Sequence, residues 1–139
     1  DKKLKIDLNS YVFKSVKKNN TIVFHSSSMN HKFKILKKKG VSLFKTKLKN
    51  KKELDLKTIL KKLYLIGIRN LLVEGGDNIT KNMLKKKLID KFYLFKSNKD
   101  LSMSKKYVIF TSKNILNLKY KVKFKSSKLA KDSITIYKR

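Results

Sequence analysis

The chain has 139 residues, of which 40% are apolar, including 8 Phe and 6 Tyr. That is enough for a packed core in one domain or part of one, and it excludes a disordered polyelectrolyte. Cysteine is absent, which excludes disulfide scaffolds and thiolate metal sites, and no apolar run is long enough for a transmembrane helix.

The N-terminal Asp1-Lys2-Lys3-Leu4-Lys5 has no signal-peptide core and no initiator Met, so the chain is expected to begin inside a longer protein. Residues 21–25 (Thr-Ile-Val-Phe-His) form a short β-rich run closed by Ser26-Ser27-Ser28, the pattern of a buried strand and a turn. A short helix is expected over 30–39, with Phe33 and Leu36 inward and Gly40 as its C-cap. Val41, Leu43 and Lys45 then alternate with Ser42, Phe44 and Thr46, which predicts a second strand.

The clearest helix runs from Leu56 to Ile66. Asp55 is its N-cap, and Leu54 and Ile59 are spaced for a hydrophobic staple. Leu56, Ile59, Leu60 and Leu63 mark one buried face, and Gly67 follows as C-cap. The apolar segment Ile68–Val73 is expected to be a central strand. A second helix covers Asn78–Leu88, with Ile79, Met83, Leu84 and Leu88 on its inner face. Phe92–Phe95 and Tyr107–Thr111 read as strands. Tyr120, Val122 and Phe124 alternate with lysines and pair with the Ile134–Ile136 stretch as a closing antiparallel hairpin. Strands alternating with helices, without linker or repeat, predict a single α/β unit whose sheet has parallel members and covering helices.

The chain has four glycines, and two of them follow the end of the apolar run in Val73-Glu74-Gly75-Gly76-Asp77. Ligands in such sheets bind beyond the carboxyl ends of the strands. Glycines there allow a sharp turn and close backbone approach, and the following helix start offers unpaired N–H groups and a positive dipole end, suited to phosphate. Thr80 and Lys81 add a hydroxyl and a cation, and Glu74 is placed to accept hydrogen bonds from a polar ligand. The pattern is neither the dinucleotide fingerprint nor a Walker loop. A plain strand-to-helix turn with a solvated Glu74 is the competing reading. His25 and His31, six apart with no carboxylate between them, read as structural, so no metal site is expected. Ser26 and Ser27 stand at a strand's carboxyl end and are open to either cleft lining or a simple turn.

The formal net charge is +29. Only Arg69 and Arg139 among the 38 basic residues are arginine, whereas specific nucleic-acid readers favour arginine's planar fork. Lysine is spread over every segment, Ala appears once and Pro is absent. This skew is that of A/T-rich codon usage. No specific nucleic-acid partner is expected, although a general attraction for anions follows from the charge.

Gly67-Ile68-Arg69-Asn70-Leu71-Leu72-Val73-Glu74-Gly75-Gly76, followed by Leu84-Lys85-Lys86-Lys87-Leu88-Ile89-Asp90-Lys91-Phe92, resembles the C-terminal reductase domain of the riboflavin-biosynthesis deaminase–reductase (the RibD family). The likeness is most specific over 54–95 and looser over Asp1–Ile6, Thr21–Ser26 and 119–138. It implies a dihydrofolate-reductase-like (Rossmann-like) mixed sheet flanked by helices and ending in an antiparallel hairpin. It implies NADPH-dependent reduction of 5-amino-6-(5-phosphoribosylamino)uracil to the ribityl compound. Carried over, Glu74 is the substrate-side carboxylate. Gly75, Gly76, Asp77, Asn78, Ile79, Thr80, Lys81 and Asn82 form the cofactor-phosphate turn and helix start. Lys2 falls at a cofactor-contacting position, where the family usually has Ser.

The family's opening lysine-containing strand and acidic loop, and its zinc deaminase half, have no counterpart in these residues. The chain therefore reads as a partial reductase domain over 1–139, expected to be inactive alone, cytoplasmic, without membrane contact and paired as a homodimer. The alternatives are a related dihydrofolate-reductase-like oxidoreductase with another pteridine or pyrimidine substrate, and a basic nucleic-acid-binding module.

Overall fold

The computed structural model describes residues 1–28, 31–49, 52–97, 115, 117–129 and 132–139. They form two compact units, Asp1–Leu71 and Leu72–Arg139.

In the first unit a short helix α1 (Tyr11–Lys14) precedes strand β1 (Ile22–His25), helix α2 (His31–Lys39) and strand β2 (Ser42–Lys45). β1 and β2 pair in parallel, Ile22 against Ser42 through His25 against Lys45, so 21–45 is the expected β-α-β unit. A small antiparallel pair, β3 (Leu48–Lys49) and β4 (Glu53–Leu54), leads into α3 (Leu56–Leu65). Leu4, Val16, Val23, Leu36 and Val41 form the buried core, with Ile6, Phe13, Phe33 and Leu43 packed against it.

The helix ends follow local chemistry. The Asp55 carboxylate accepts from the Lys57 amide at 3.1 Å and from the Thr58 hydroxyl at 3.0 Å, which makes it the N-cap of α3. At the other end Gly67 takes φ +93°. Its amide donates to the Tyr64 carbonyl at 3.1 Å while Ile68 donates to Leu63 at 3.0 Å. This is a Schellman closure, in which a left-handed residue lets two orphan carbonyls be satisfied. Gly40 closes α2 in the same way, through Lys37 and Leu36.

The second unit contains α4 (Asp77–Lys85) and strands β5 (Lys91–Lys96), β6 (Lys121–Leu129) and β7 (Asp132–Lys138). The sheet order is β5-β7-β6, antiparallel throughout. The expected closing hairpin is thus present as β6–β7. Leu84, Ile115, Tyr120 and Tyr137 are the buried core, packed with Ile89, Phe92, Leu94 and Leu118. The Tyr120 hydroxyl donates to the Ile89 carbonyl at 2.9 Å, so this deeply buried ring leaves no polar atom unpaired.

Two expectations are corrected. Residues 68–73 form no strand. Leu71 is 49% and Leu72 78% exposed. Among the described residues β1 pairs with β2, β3 with β4 and β5 with β7, and none offers this run a ladder. An apolar run supplies side chains for a sheet but not the neighbouring backbone that a strand needs. The boundary between the two units falls within it. The second helix ends at Lys85, before Leu88, and Ile79 is exposed rather than inward. Met83 and Leu84 alone are buried on that helix. The expected strand Tyr107–Thr111 lies outside the described residues.

Candidate functional site

The Glu74-Gly75-Gly76 turn opens directly onto α4. Gly76 is the N-cap, with φ −67° and ψ 174°, and no side chain caps the helix. The first intrahelical bond is from the Thr80 amide to the Gly76 carbonyl, 3.2 Å. The amides of Asp77, Asn78 and Ile79 precede it, so they are the orphan donors every helix start presents. With a side-chain cap absent, these donors and the positive dipole end remain open to an external anion.

The two glycines are required for different reasons. A Cβ built on Gly75 would lie 1.9 Å from Ile79 Cγ2 and 3.3 Å from Ile79 Cβ. Gly75 is therefore the surface on which the Ile79 side chain rests, one helical turn ahead. Around Gly76 nothing lies within 4 Å of such a Cβ. There the absence of a side chain leaves space beside the helix start that a ligand can use. The Thr80 hydroxyl donates to the Gly75 carbonyl at 3.4 Å, a long bond that ties the helix back to the turn.

The charges are arranged unevenly. Lys81 Nζ is 2.7 Å from Asp77 Oδ2, an i,i+4 pair on the first turns of α4. Asp77 Oδ1 is buried and has no hydrogen-bond partner. A carboxylate in the first helical turn is favoured by the dipole, and Lys81 neutralises it toward the site. Glu74 is exposed, as are Asn78 and both glycines, whereas Thr80, Lys81 and Asn82 are half-buried. Residues 74–82 thus run as one turn and helix start. Ile79 contributes there by packing on Gly75 rather than by joining the core. The spacing Gly75–Ile79, four residues apart at a helix start, was the available sequence signal for this contact.

Lys2 belongs to the other unit. Its ammonium donates to the Lys52 carbonyl at 2.7 Å. Its own carbonyl accepts from the Ser26 amide at 3.0 Å and from the Ser26 and Ser27 hydroxyls at 3.2 Å each. Ser26 and Ser27 thus lash the N-terminal segment to the end of β1, a contact that neither of the two expected roles, cleft lining or a simple turn, included. His25, at the end of the same strand, is 1% exposed and neither ring nitrogen makes a hydrogen bond. Its ring meets Phe33 edge-on at 5.6 Å. Burial pushes the imidazole below its ordinary pKa, against a smaller opposing effect of the Ser27 backbone, and Lys45 adds to the lowering. His25 is accordingly a core residue, consistent with the structural reading of that histidine. Among the described residues no group of three His, Cys, Asp or Glu could hold a metal ion, and no helix is long and apolar enough to cross a membrane.

The β-α-β unit of the first unit and the helix with its antiparallel sheet in the second make this an α/β fold, the class that the dihydrofolate-reductase-like resemblance implied. The chain resembles the crystal structure of a pyrimidine reductase-like protein from Corynebacterium diphtheriae, with a TM-score of 0.67 at 18% sequence identity. The alignment covers 99% of this chain and 58% of that one, so the chain spans little more than half the length of this structural neighbour. No curated protein matches the sequence. The family model of the RibD C-terminal domain matches residues 1–135, through both compact units. The chain belongs to that family.

Proposed function

We propose that the chain is the cofactor-binding C-terminal part of an NADPH-dependent reductase of riboflavin synthesis, acting on 5-amino-6-(5-phosphoribosylamino)uracil. The observation that carries this reading is the uncapped start of α4 behind Gly75-Gly76, in a member of the RibD C-terminal domain family.

The residues present fit a dinucleotide's phosphates. The amides of Asp77, Asn78 and Ile79 are the donors for phosphate oxygens, and Gly76 leaves room for them. Lys81 holds the Asp77 carboxylate in a salt bridge, so its charge opposes an incoming phosphate less. The Thr80 hydroxyl holds the turn closed through the Gly75 carbonyl. NADPH, when bound, supplies the hydride. Glu74 is exposed at the turn, where its carboxylate accepts hydrogen bonds from the donor groups of a ribosylaminopyrimidine and orients it. Lys2, in the first unit, gives one ammonium proton to the Lys52 carbonyl and keeps two; its role toward the cofactor is the one that the family resemblance implies. The partner copy of a homodimer and a cytoplasmic location belong to the same reading.

The test uses the full-length protein with NADPH and the aminopyrimidine substrate, following loss of NADPH absorbance. Turnover that Glu74→Gln lowers at least tenfold, with unfolding unchanged, supports the reading. Absence of substrate-dependent NADPH oxidation by the wild-type protein overturns it. Equal loss of turnover and stability in Glu74→Gln makes Glu74 a structural residue.

A further inference from the structure

The three-stranded sheet has a second face that the core does not use. Phe92 and Leu94 of β5 and Tyr137 of β7 point toward Leu84, Ile115 and Tyr120. Residues alternate across a strand, so their neighbours point the other way. On that outer face Tyr93 of β5 is directly opposite Ile136 of β7, which is opposite Phe124 of β6. Phe95 follows, opposite Ile134. Tyr93 is 47%, Phe95 68% and Phe124 51% exposed. Three aromatic rings therefore stand open on two adjacent rows of one sheet face.

The neighbouring row is basic. Lys91 of β5 pairs with Lys138 of β7, and Lys138 pairs with Lys121 of β6. All three are exposed. Directly paired side chains share a face with Cβ atoms about 5 Å apart, and like charges in that arrangement repel. Asp132, six residues from Lys138, is the single acidic residue in the three strands, and that separation is about 20 Å along an extended strand. Asp90, next to Lys91, is taken up by Arg139 at 3.1 Å, and the row of three ammonium groups runs beside the aromatic rows, about 7 Å away.

We propose that this face binds single-stranded nucleic acid without sequence selectivity. Lys91, Lys138 and Lys121 contact successive phosphates, and Tyr93, Phe95 and Phe124 stack on the bases. Every base offers a flat apolar face, and a charged track beside exposed aromatics is the arrangement that uses both halves of a nucleotide. A second copy of the chain is the less suitable occupant. On this face it would set another lysine row against this one. The proposal is independent of the reductase reading, because none of its residues belongs to the 74–82 turn. It assigns a use to a charge that codon composition explains only in origin.

The experiment is fluorescence anisotropy of the intact chain with a labelled twelve-nucleotide oligothymidine and a twelve-base-pair duplex, over a range of salt. Single strand is expected to bind about tenfold tighter than duplex. Phe95→Ala combined with Phe124→Ala is expected to remove about tenfold or more of single-strand affinity while duplex binding stays the same. Lys91→Gln with Lys138→Gln is expected to flatten the salt dependence. Lys37→Gln with Lys38→Gln, an equal charge loss on α2, is expected to keep the single-strand preference. Photo-crosslinking of a 5-iodouracil oligonucleotide to the wild-type chain is expected to label Tyr93, Phe95 or Phe124, and it depends on no variant folding. Equal affinity for both nucleic acids, aromatic variants that bind as wild type, or crosslinks confined to other residues would overturn the proposal. So would a wild-type dimer that Phe95→Ala turns into a monomer with unchanged oligonucleotide binding, since the face would then be an interface between copies.

Discussion

Replacing Gly75 by alanine tests the turn at its tightest point. The new methyl would lie 1.9 Å from Ile79 Cγ2, about half a normal carbon–carbon contact, and 3.3 Å from Ile79 Cβ. Cγ2 is fixed by the χ1 of a β-branched helical residue, which has one strongly preferred rotamer. Relief therefore requires a strained rotamer or a shift of the first turn of α4, and overpacking of this kind costs about 1–3 kcal/mol. Gly76→Ala is the internal control. Its φ −67° and ψ 174° are open to any residue and no atom lies within 4 Å of the new Cβ, so its cost is limited to a weaker N-cap, about 0.5 kcal/mol. Urea unfolding followed by far-UV circular dichroism should rank Gly75→Ala well below Gly76→Ala. Ile79 is already 39% exposed, so Ile79→Ala alone should cost little, and in combination it should restore most of the loss. A coupling energy above about 0.5 kcal/mol in that double-mutant cycle is the signature of direct contact. If Gly75→Ala unfolds like wild type, or Ile79→Ala fails to rescue it, the packing argument is wrong. For activity the order reverses, because a methyl at Gly76 enters the space assigned to the phosphates. Gly76→Ala should weaken NADPH binding in the full-length protein with no stability loss beyond that of the weaker N-cap.

Lys87 closes α4 with φ +52°, donating to Leu84 while Leu88 donates to Met83. Lys87→Gly should therefore stabilise the second unit by about 1 kcal/mol in the same urea assay, and a loss of stability would contradict the left-handed assignment. Tyr120→Phe removes the hydroxyl that donates to Ile89 and leaves a partly buried carbonyl without that partner, at a cost of about 1 kcal/mol in the urea assay. His25 has a folded pKa lowered by burial, below the unfolded value near 6.5. The unfolded chain then binds more protons between the two values, so stability is complete above pH ~6.5 and declines as pH falls toward the folded value. His25→Leu should abolish this decline in unfolding titrations. Asp55 has a carboxyl held below its usual range by the Thr58 hydroxyl and the Lys57 amide. Its capping stabilisation is present above the unfolded carboxylate pKa and lost as pH falls through the folded one, so Asp55→Ala should destabilise α3 at neutral pH and not in acid.

Local signals located the elements whose causes are local. The Asp55 cap, the apolar stripe ending at Leu63 and the Gly67 closure delimit α3 without reference to anything outside it. Alternation in 120–124 and 134–136 foretold the β6–β7 pair, because half-buried strands show a period of two. The family resemblance reached the same turn, Glu74-Gly75-Gly76, that the scarcity of glycine had already marked. The apolar segment 68–73 misled, since composition records how a side chain would pack but not whether a neighbouring backbone is there to pair with.

The sequence by itself determined the chemistry of the turn, the caps of its helices, the β-α-β order and the charge of the whole. These depend on residue identity and spacing over a few positions. Tertiary structure alone decided that Ile79 rests on Gly75, that His25 is buried with both nitrogens unpaired, and that Lys91, Lys138 and Lys121 form a row beside three open aromatic rings. Each of those facts depends on which strands pair and in what register. Burial and pairing are properties of segments brought together across the chain, and no window of sequence contains them.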